Sequence, residues 1–414
     1  NTTKQQHQIR LTNCVHHKTN QSSSNTQRTP SISLIHLTQP LSLRKAFLSA
    51  FQFDLNWIAS TLPPNIPVCL AFHSPSSTPP RIQKNICIVF PKLNSTTYAT
   101  MHIKLCVLYF DGFVRVVVSS ANLVQYDWEE LENIVWYQDF PRKEDGKRLD
   151  GIASETPNNP SDEDELSLGD AFKSDLKQLL LDMESQSWVY NDLDAFDFSS
   201  CRARLVISKP GKHSNDDAFK YGLGRLSSIV HEINGNKAVT EPVSLWYQTS
   251  SLGSISQPFI TSLESACRGS LFLPSKTSTV SPSMKIVFPT IETVKSSALG
   301  MNGAGTITWS GSLHAKCEYK HLLRDSVSLR SGALSHCKVI LCRTTATDDI
   351  KWFYCGSHNM TMSAWGKTVE TKKEKRVEIS NWELGVVVEE GAVVPFQTMD
   401  VRSHGSGVRA AHTS

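Results

Sequence analysis

The sequence predicts an α/β fold built as two similar halves, with a site in the seam between them. Three observations carry this. Short apolar runs that read as strands alternate with amphipathic, helix-like stretches along most of the chain. The 414 residues exceed what one core usually fills, which favours two domains. One small constellation also occurs twice, as His102-Ile-Lys104 with Asn122 and as His336-Cys-Lys338 with Asn359. The two His stand 234 residues apart, the two Asn 237, and the Trp that follows each Asn by six positions (Trp128 and Trp365) again 237.

In chain order, residues 1–31 are rich in Gln, Asn, Ser, Thr and His and read as a disordered tail. Folded sequence starts at Ile32. The stretch LSLRKAFLSAFQFDLNWIASTL predicts a helix, with Leu43, Phe47, Phe51, Leu55 and Ile58 at three- and four-residue steps, ended by Pro63-Pro64. Strands are predicted at VCLAF and ICIVF, then at HIKLCVLYF and FVRVVVSSANL around the first constellation. Residues 142–165 are charged, rich in turn formers and poor in large apolar groups, and read as an exposed insertion. An amphipathic helix on Phe172, Leu176, Leu179, Leu180 and Met183 closes the first half, residues 32–200. The strand CRARLVIS opens the second, residues 201–395, with further strands predicted at SLFLP, MKIVFPT, HCKVILCRT and KWFYCGSHNM. KTVETKKEKR reads as a solvated hairpin loop.

Composition narrows the class. With 39% hydrophobic and 20% charged residues the chain has a core to bury, and its net charge of +3 neither demands nor excludes a polyanion partner. No run reaches the ~18 apolar residues of a membrane span, so no membrane association is expected. The ten cysteines include no CxxC pair, and several sit in apolar runs. They read as buried free thiols in a reducing compartment.

Two His, two Lys and two Asn gathered at one point suit a phosphodiester. Ammonium and amide groups donate to the non-bridging oxygens and stabilise the charge of a pentacoordinate phosphorus without a metal or cofactor. In a strand, residues i and i+2 share a face, so each His-x-Lys presents imidazole and ammonium together. One imidazole can attack phosphorus; the other can protonate the leaving oxygen and then deprotonate the resolving water. His-x-Lys alone is unspecific, and His314-Ala-Lys316 competes for the second position. His336 is preferred because Asn359 follows it by 23 residues, close to the 20 of the first copy, while His314 lies 45 away.

With these motifs the sequence resembles tyrosyl-DNA phosphodiesterase, a branch of the phospholipase D superfamily. The Asp of the superfamily's H-x-K-x4-D is replaced by Tyr109 and Arg343, with an Asn further on, as is typical of that branch. FQFDLNWI, MHIKLCVLYFDGFVRVVVSSANLVQYDW, QTSSLGSI, FPTIETVKSSALG, GSHNMTMSAWG and NWELGVV are similar to family blocks in family order, from about residue 32 to about 390. The resemblance implies two phospholipase D-like α-β-α sandwich domains related by a pseudo-twofold. It implies His102 as nucleophile and His336 as general acid/base, with Lys104, Lys338, Asn122 and Asn359 on the phosphate oxygens. Glu383 would orient the nucleophilic imidazole, Ser251 and Ser254 would line the DNA side, and Tyr98 would stack on a nucleobase. The implied reaction is hydrolysis of the 3′-phosphodiester between DNA and a tyrosine of a topoisomerase I peptide, or of other 3′-blocked ends, leaving a 3′-phosphate. A monomer acting on single-stranded DNA in the nucleus is the corresponding expectation.

The pattern departs from the family at two places. Asn133 stands where the family commonly has a longer Gln supporting the second His, which leaves open whether its amide spans the distance to His336. After VVVEEGAVVPF, residues 396–414 read as an atypical tail, without the family's stretch rich in Pro, Tyr and Trp. Two alternatives stay open on sequence: another metal-independent phospholipase D-type phosphodiesterase, or a catalytically silent DNA-end-binding homologue.

Overall fold

The computed structural model describes residues 7–15, 30–74, 81–93, 99–143, 167–273 and 282–397. Tyr98 and, from residue 144 on, the expected insertion lie outside them. Two large sheets dominate. The first contains β1 (Gln8–Thr12), β2 (Leu43–Ser49), β3 (Val68–Ala71), β4 (Ile86–Val89), β5 (Leu105–Phe110), β6 (Phe113–Ser119) and β7 (Ile134–Pro141), in the order β1-β7-β6-β5-β2-β3-β4. The second contains β8 (Arg204–Ser208), β9 (Val243–Gln248), β10 (Lys285–Val287), β11 (Leu323–Arg324), β12 (Val339–Thr344), β13 (Ile350–Gly356) and β14 (Glu383–Val388), in the order β8-β14-β13-β12-β9-β10-β11. Strand n of the first sheet therefore matches strand n+7 of the second. In each, the first four pairings along that order are antiparallel and the last two parallel. The duplication seen in two motifs thus extends over seven strands. Short strands Ser31–Ile32 and Arg81–Gln83 add to the edges of the first sheet.

Alternation decides which way each strand looks. Val116 and Val118 of β6, Phe353 and Cys355 of β13, and Leu384 and Val386 of β14 bury themselves in one shared core between the sheets. Their neighbours turn away: Val117 joins a second core under the helices Leu34–Thr38 and Leu55–Thr61. Trp352, Tyr354 and Val387 join a third under Gly222–Ile233 and Gln257–Cys267. This period-2 division is what stacks the two sheets face to face. The amphipathic helix forms at Leu168–Asp182, its N-terminus capped by Ser167, and sends Phe172, Leu176 and Leu180 into the shared core.

Four expectations are corrected. Within LSLRKAFLSAF, Leu43–Ser49 form strand β2, and the helix begins only at Leu55, where Asp54 accepts from the amides of Asn56 and Trp57. Ala46, Phe47 and Leu48 are all buried; a strand with neighbours on both edges and layers on both faces loses its alternation. Within the expected tail, Gln8–Thr12 is the outermost full strand of the first sheet, with Ile9 and Leu11 2% and 1% exposed. Of the predicted strand SLFLP, the described residues 270–273 make a turn, with Phe272 at φ 62° and its ring in the core. Phe396, placed in the atypical tail, is buried beside Trp246 and pairs with Ser328. KTVETKKEKR is a hairpin, Lys367–Glu370 against Lys375–Ile379, and all ten cysteines are buried thiols that form no disulfide. Among the described residues no helix is long and apolar enough to cross a membrane.

Candidate active site

At one end of the seam, backbone pairing joins the two halves twice. Met101 bridges Trp382, and His102 N–H donates to the Trp382 carbonyl at 2.9 Å; Glu132 bridges Ser335, and His336 N–H donates to the Glu132 carbonyl at 2.8 Å. Each His stands three residues before its strand (β5 starts at Leu105, β12 at Val339), and its segment is pinned to the residue one before β14 (Trp382) or two before β7 (Glu132) in the other half. Each histidine consequently meets a side chain from the opposite half. His102 Nδ1 lies 2.7 Å from Glu383 Oε2, and His336 Nδ1 lies 2.9 Å from Asn133 Oδ1. Glu383 and Asn133 occupy equivalent places, so the same geometry carries a carboxylate on one side and an amide on the other. The shorter amide does reach: the Glu132–Ser335 bridge brings the two backbones to strand-pairing distance.

The supporting bonds fix both partners' orientation. The Asn133 amide NH2 donates to the Asp127 carbonyl, and its Oδ1 accepts from Ser120 Oγ, so Oδ1 faces His336 and that ring must donate from Nδ1. Glu383 accepts from Ser357 Oγ at 2.5 Å and from Asn381 Nδ2 at 3.1 Å, while Asn381 Oδ1 accepts from the Thr100 amide. With Nδ1–H spent on these partners, both imidazoles keep Nε2 for the cleft.

That cleft, about 580 Å³, is lined by His102, His336, Asn122, Asn359, Glu383, Ser251 and Ser254, with Phe51 and Thr100 on the first-half side. Lys104 and Lys338 are 2% and 0% exposed, and each ammonium donates to the carbonyl of its own histidine. Asn122 donates through Nδ2 to Asp127, whereas Asn359 Oδ1 accepts from Thr249, Ser250 and the Ser251 amide, leaving its NH2 for the cleft. Trp128 donates to the Asn122 carbonyl and Trp365 to the Tyr247 hydroxyl; both are core anchors. Tyr109 and Arg343 point elsewhere, to Val189 O and Asp348. His314 sits in the short helix Gly311–Lys316 against Trp309, outside the cleft lining. Three supports went unread in the sequence: Asp127, Asn381 and Ser357. Their signal was spacing alone, five residues after Asn122 and two beside Glu383 and Asn359.

Electrostatics separate the groups. For Glu383 burial pushes the pKa up, but His102, its hydrogen bond, His358 and Lys104 together hold it at about 2. Burial lowers the His102 pKa, the lysines Lys104 and Lys338 reinforcing it against Glu383, so the ring is neutral and the carboxylate ionised. Burial and the charges of Lys338 and Lys104 push His336 well below its ordinary value. Burial brings Lys104 down to about 7 and Lys338 well below its usual range, while burial raises Asp127. An anion in the cleft would oppose every one of these lysine and histidine shifts.

Known proteins resemble this chain in sequence and fold. The sequence profile described as tyrosyl-DNA phosphodiesterase matches residues 13–411. A probable tyrosyl-DNA phosphodiesterase of Caenorhabditis elegans is 29% identical over 369 residues, covering 82% of this chain and 74% of that protein. Tyrosyl-DNA phosphodiesterase 1 of Arabidopsis thaliana is 28% identical, covering 83% of this chain and 56% of its own length. The crystal structure of the yeast tyrosyl-DNA phosphodiesterase superposes with a TM-score of 0.65 at 15% identity, over 94% of this chain and 91% of that one, and shows the same fold.

Proposed function

Because the chain belongs to the tyrosyl-DNA phosphodiesterase family, we propose that it is a hydrolase of DNA repair that cleaves the 3′-phosphodiester between DNA and a topoisomerase tyrosine. The observation that carries the reading is the pair of imidazoles, one from each half, lining one cleft with opposite far-side partners. His102, neutral and backed by an ionised Glu383, is the nucleophile: Nε2 attacks phosphorus and the phenolate leaves. A phenol pKa near ~10 makes that departure easy, so the first step needs little acid. Lys104, Lys338 and Asn359 stabilise the phosphoryl oxygens, and Asn122 is held beside them by Asp127. His336, with Nε2 unprotonated, is poised as the base that takes a proton from water in the second step, releasing the 3′-phosphate and free His102. The substrate's negative charge raises its pKa, so it also delivers a proton to poorer leaving groups. Ser251 and Ser254 would contact the strand, and a nuclear location follows from the substrate.

The test is single-turnover cleavage of a 3′-phosphotyrosyl oligonucleotide beside a phosphatidyl lipid. His102→Ala should abolish cleavage of the oligonucleotide, and His336→Ala should accumulate a covalent DNA adduct on His102. Full turnover by both variants, or cleavage of the lipid alone, would overturn the proposal.

A further inference from the structure

β1, in a segment that the sequence reads as tail, ends against the residue that orients His336. Thr12 is 0% exposed and wraps the start of β7 with three bonds: its amide donates to the Asn133 carbonyl at 2.9 Å, its Oγ1 donates to the Leu131 carbonyl at 2.8 Å, and the same Oγ1 accepts the Asn133 amide at 2.9 Å. The Thr12 carbonyl in turn accepts from Arg330 Nη1 at 2.6 Å. Arg330 belongs to the loop that carries Ser328, whose hydroxyl donates to both oxygens of the buried Glu132 carboxylate. Both backbone groups of Asn133 are therefore held by one residue of the N-terminal segment. Its side chain has Ser120, the Asp127 carbonyl and His336 as its partners.

The duplicated architecture gives an independent observation. In the second half Ser208, the last residue of β8, pairs with Glu383, just as Thr12 at the end of β1 lies beside Asn133. Both are fully buried hydroxyl residues, and Ser208 Oγ donates to the Ala364 carbonyl and meets His358. A buried hydroxyl thus ends the strand that flanks the orienting residue in each half.

We infer that Thr12 is a positioning residue for the second histidine, so that the N-terminal segment 7–15 is part of the catalytic apparatus. This rests on the reading of His336 as the acid/base above. Removing the hydroxyl leaves the Asn133 amide and the Leu131 carbonyl without their partner in a dry site, and the cheapest relief is movement of Asn133 off the ring. His336 then loses the acceptor that holds its proton on Nδ1, and Nε2–H forms appear that cannot accept a proton from water.

Thr12→Val keeps the shape and deletes the hydroxyl; Thr12→Ser keeps the hydroxyl. Two readouts separate the inference from the reading beneath it. Nitrogen-15 NMR of the ring nitrogens in the substrate-free protein reports the His336 tautomer whatever the reaction: Thr12→Val should mix it and Thr12→Ser should restore it. In single turnover, Thr12→Val should slow adduct hydrolysis about tenfold, the scale of one lost buried hydrogen bond, with adduct formation nearly unchanged. An unaltered tautomer in Thr12→Val, or formation and hydrolysis slowed equally, overturns this inference. Absence of any adduct in His336→Ala overturns the underlying function instead.

Discussion

Glu383→Gln exchanges one atom and tests the division of labour between the histidines. In the wild type, Asn381 Nδ2 donates to Oε1 and cannot turn, because its own oxygen accepts from the Thr100 amide. An amide at 383 must therefore keep oxygen toward Asn381 and direct NH2 at His102 Nδ1, the atom now 2.7 Å from Oε2. That donor forces the His102 proton onto Nε2 and removes the nucleophilic lone pair. Should the amide instead flip, it sets two NH2 groups against each other and still forfeits charge assistance. The second case gives the lower bound: a charged hydrogen bond exceeds a neutral one by roughly 1–1.5 kcal/mol, about tenfold in rate. The first case gives the upper bound, since a comparable tautomer error in a serine-protease triad lowers turnover about 10⁴-fold. A loss of about 10³-fold in adduct formation is expected, with hydrolysis of preformed adduct affected less. The assay is rapid-quench single turnover with the 3′-phosphotyrosyl oligonucleotide, the adduct resolved on denaturing gels. A loss below threefold would refute the assignment of Glu383 as the group that sets the His102 tautomer.

Two further outcomes follow from burial. Lys104→Met should abolish turnover yet stabilise the fold by on the order of 1–3 kcal/mol, because a buried ammonium whose pKa falls from 10.5 to about 7 is replaced by an apolar chain of similar shape; a lowered urea midpoint would contradict this. His358, fully buried between Ser208 and the Tyr354 hydroxyl, has its pKa pushed by burial from 6.5 down to about 3. Below pH 6.5 the unfolded chain binds this proton and the folded one does not, so stability falls with pH by about 1.4 kcal/mol per unit until pH approaches 3. Urea midpoints from pH 7 to 5 should drop in the wild type and flatten by one proton in His358→Gln, and parallel slopes would exclude His358 as the source.

Legibility in the sequence followed repetition. The paired His, Lys and Asn could be found because each copy vouched for the other, and β5, β6, β12 and β13 carry apolar runs long enough to read as strands. Asp127 had no such witness: the position five residues after Asn359 holds Ala364, so nothing marked the carboxylate that holds Asn122. β2 was hidden by its own burial, since Leu43 and Phe47, four residues apart, fit a helical face as well as a doubly covered strand. β1 does alternate, Gln8 and Arg10 outward and Ile9 and Leu11 inward, but five residues amid polar sequence give too little pattern to detect. The reach of Asn133 depended on a backbone bridge between residues 132 and 335, a long-range contact that side-chain length alone does not determine.

The crossed pairing of each imidazole with the other half carries a lesson about origin and direction. A single ancestral half could have completed such a centre only by docking onto a copy of itself, and in that twin both rings would have faced identical partners and been interchangeable. In the single polypeptide the two positions are free to differ, and they hold an acid and an amide. That difference breaks the equivalence of the rings and, in the proposed reaction, would give a symmetric scaffold a one-way order of events.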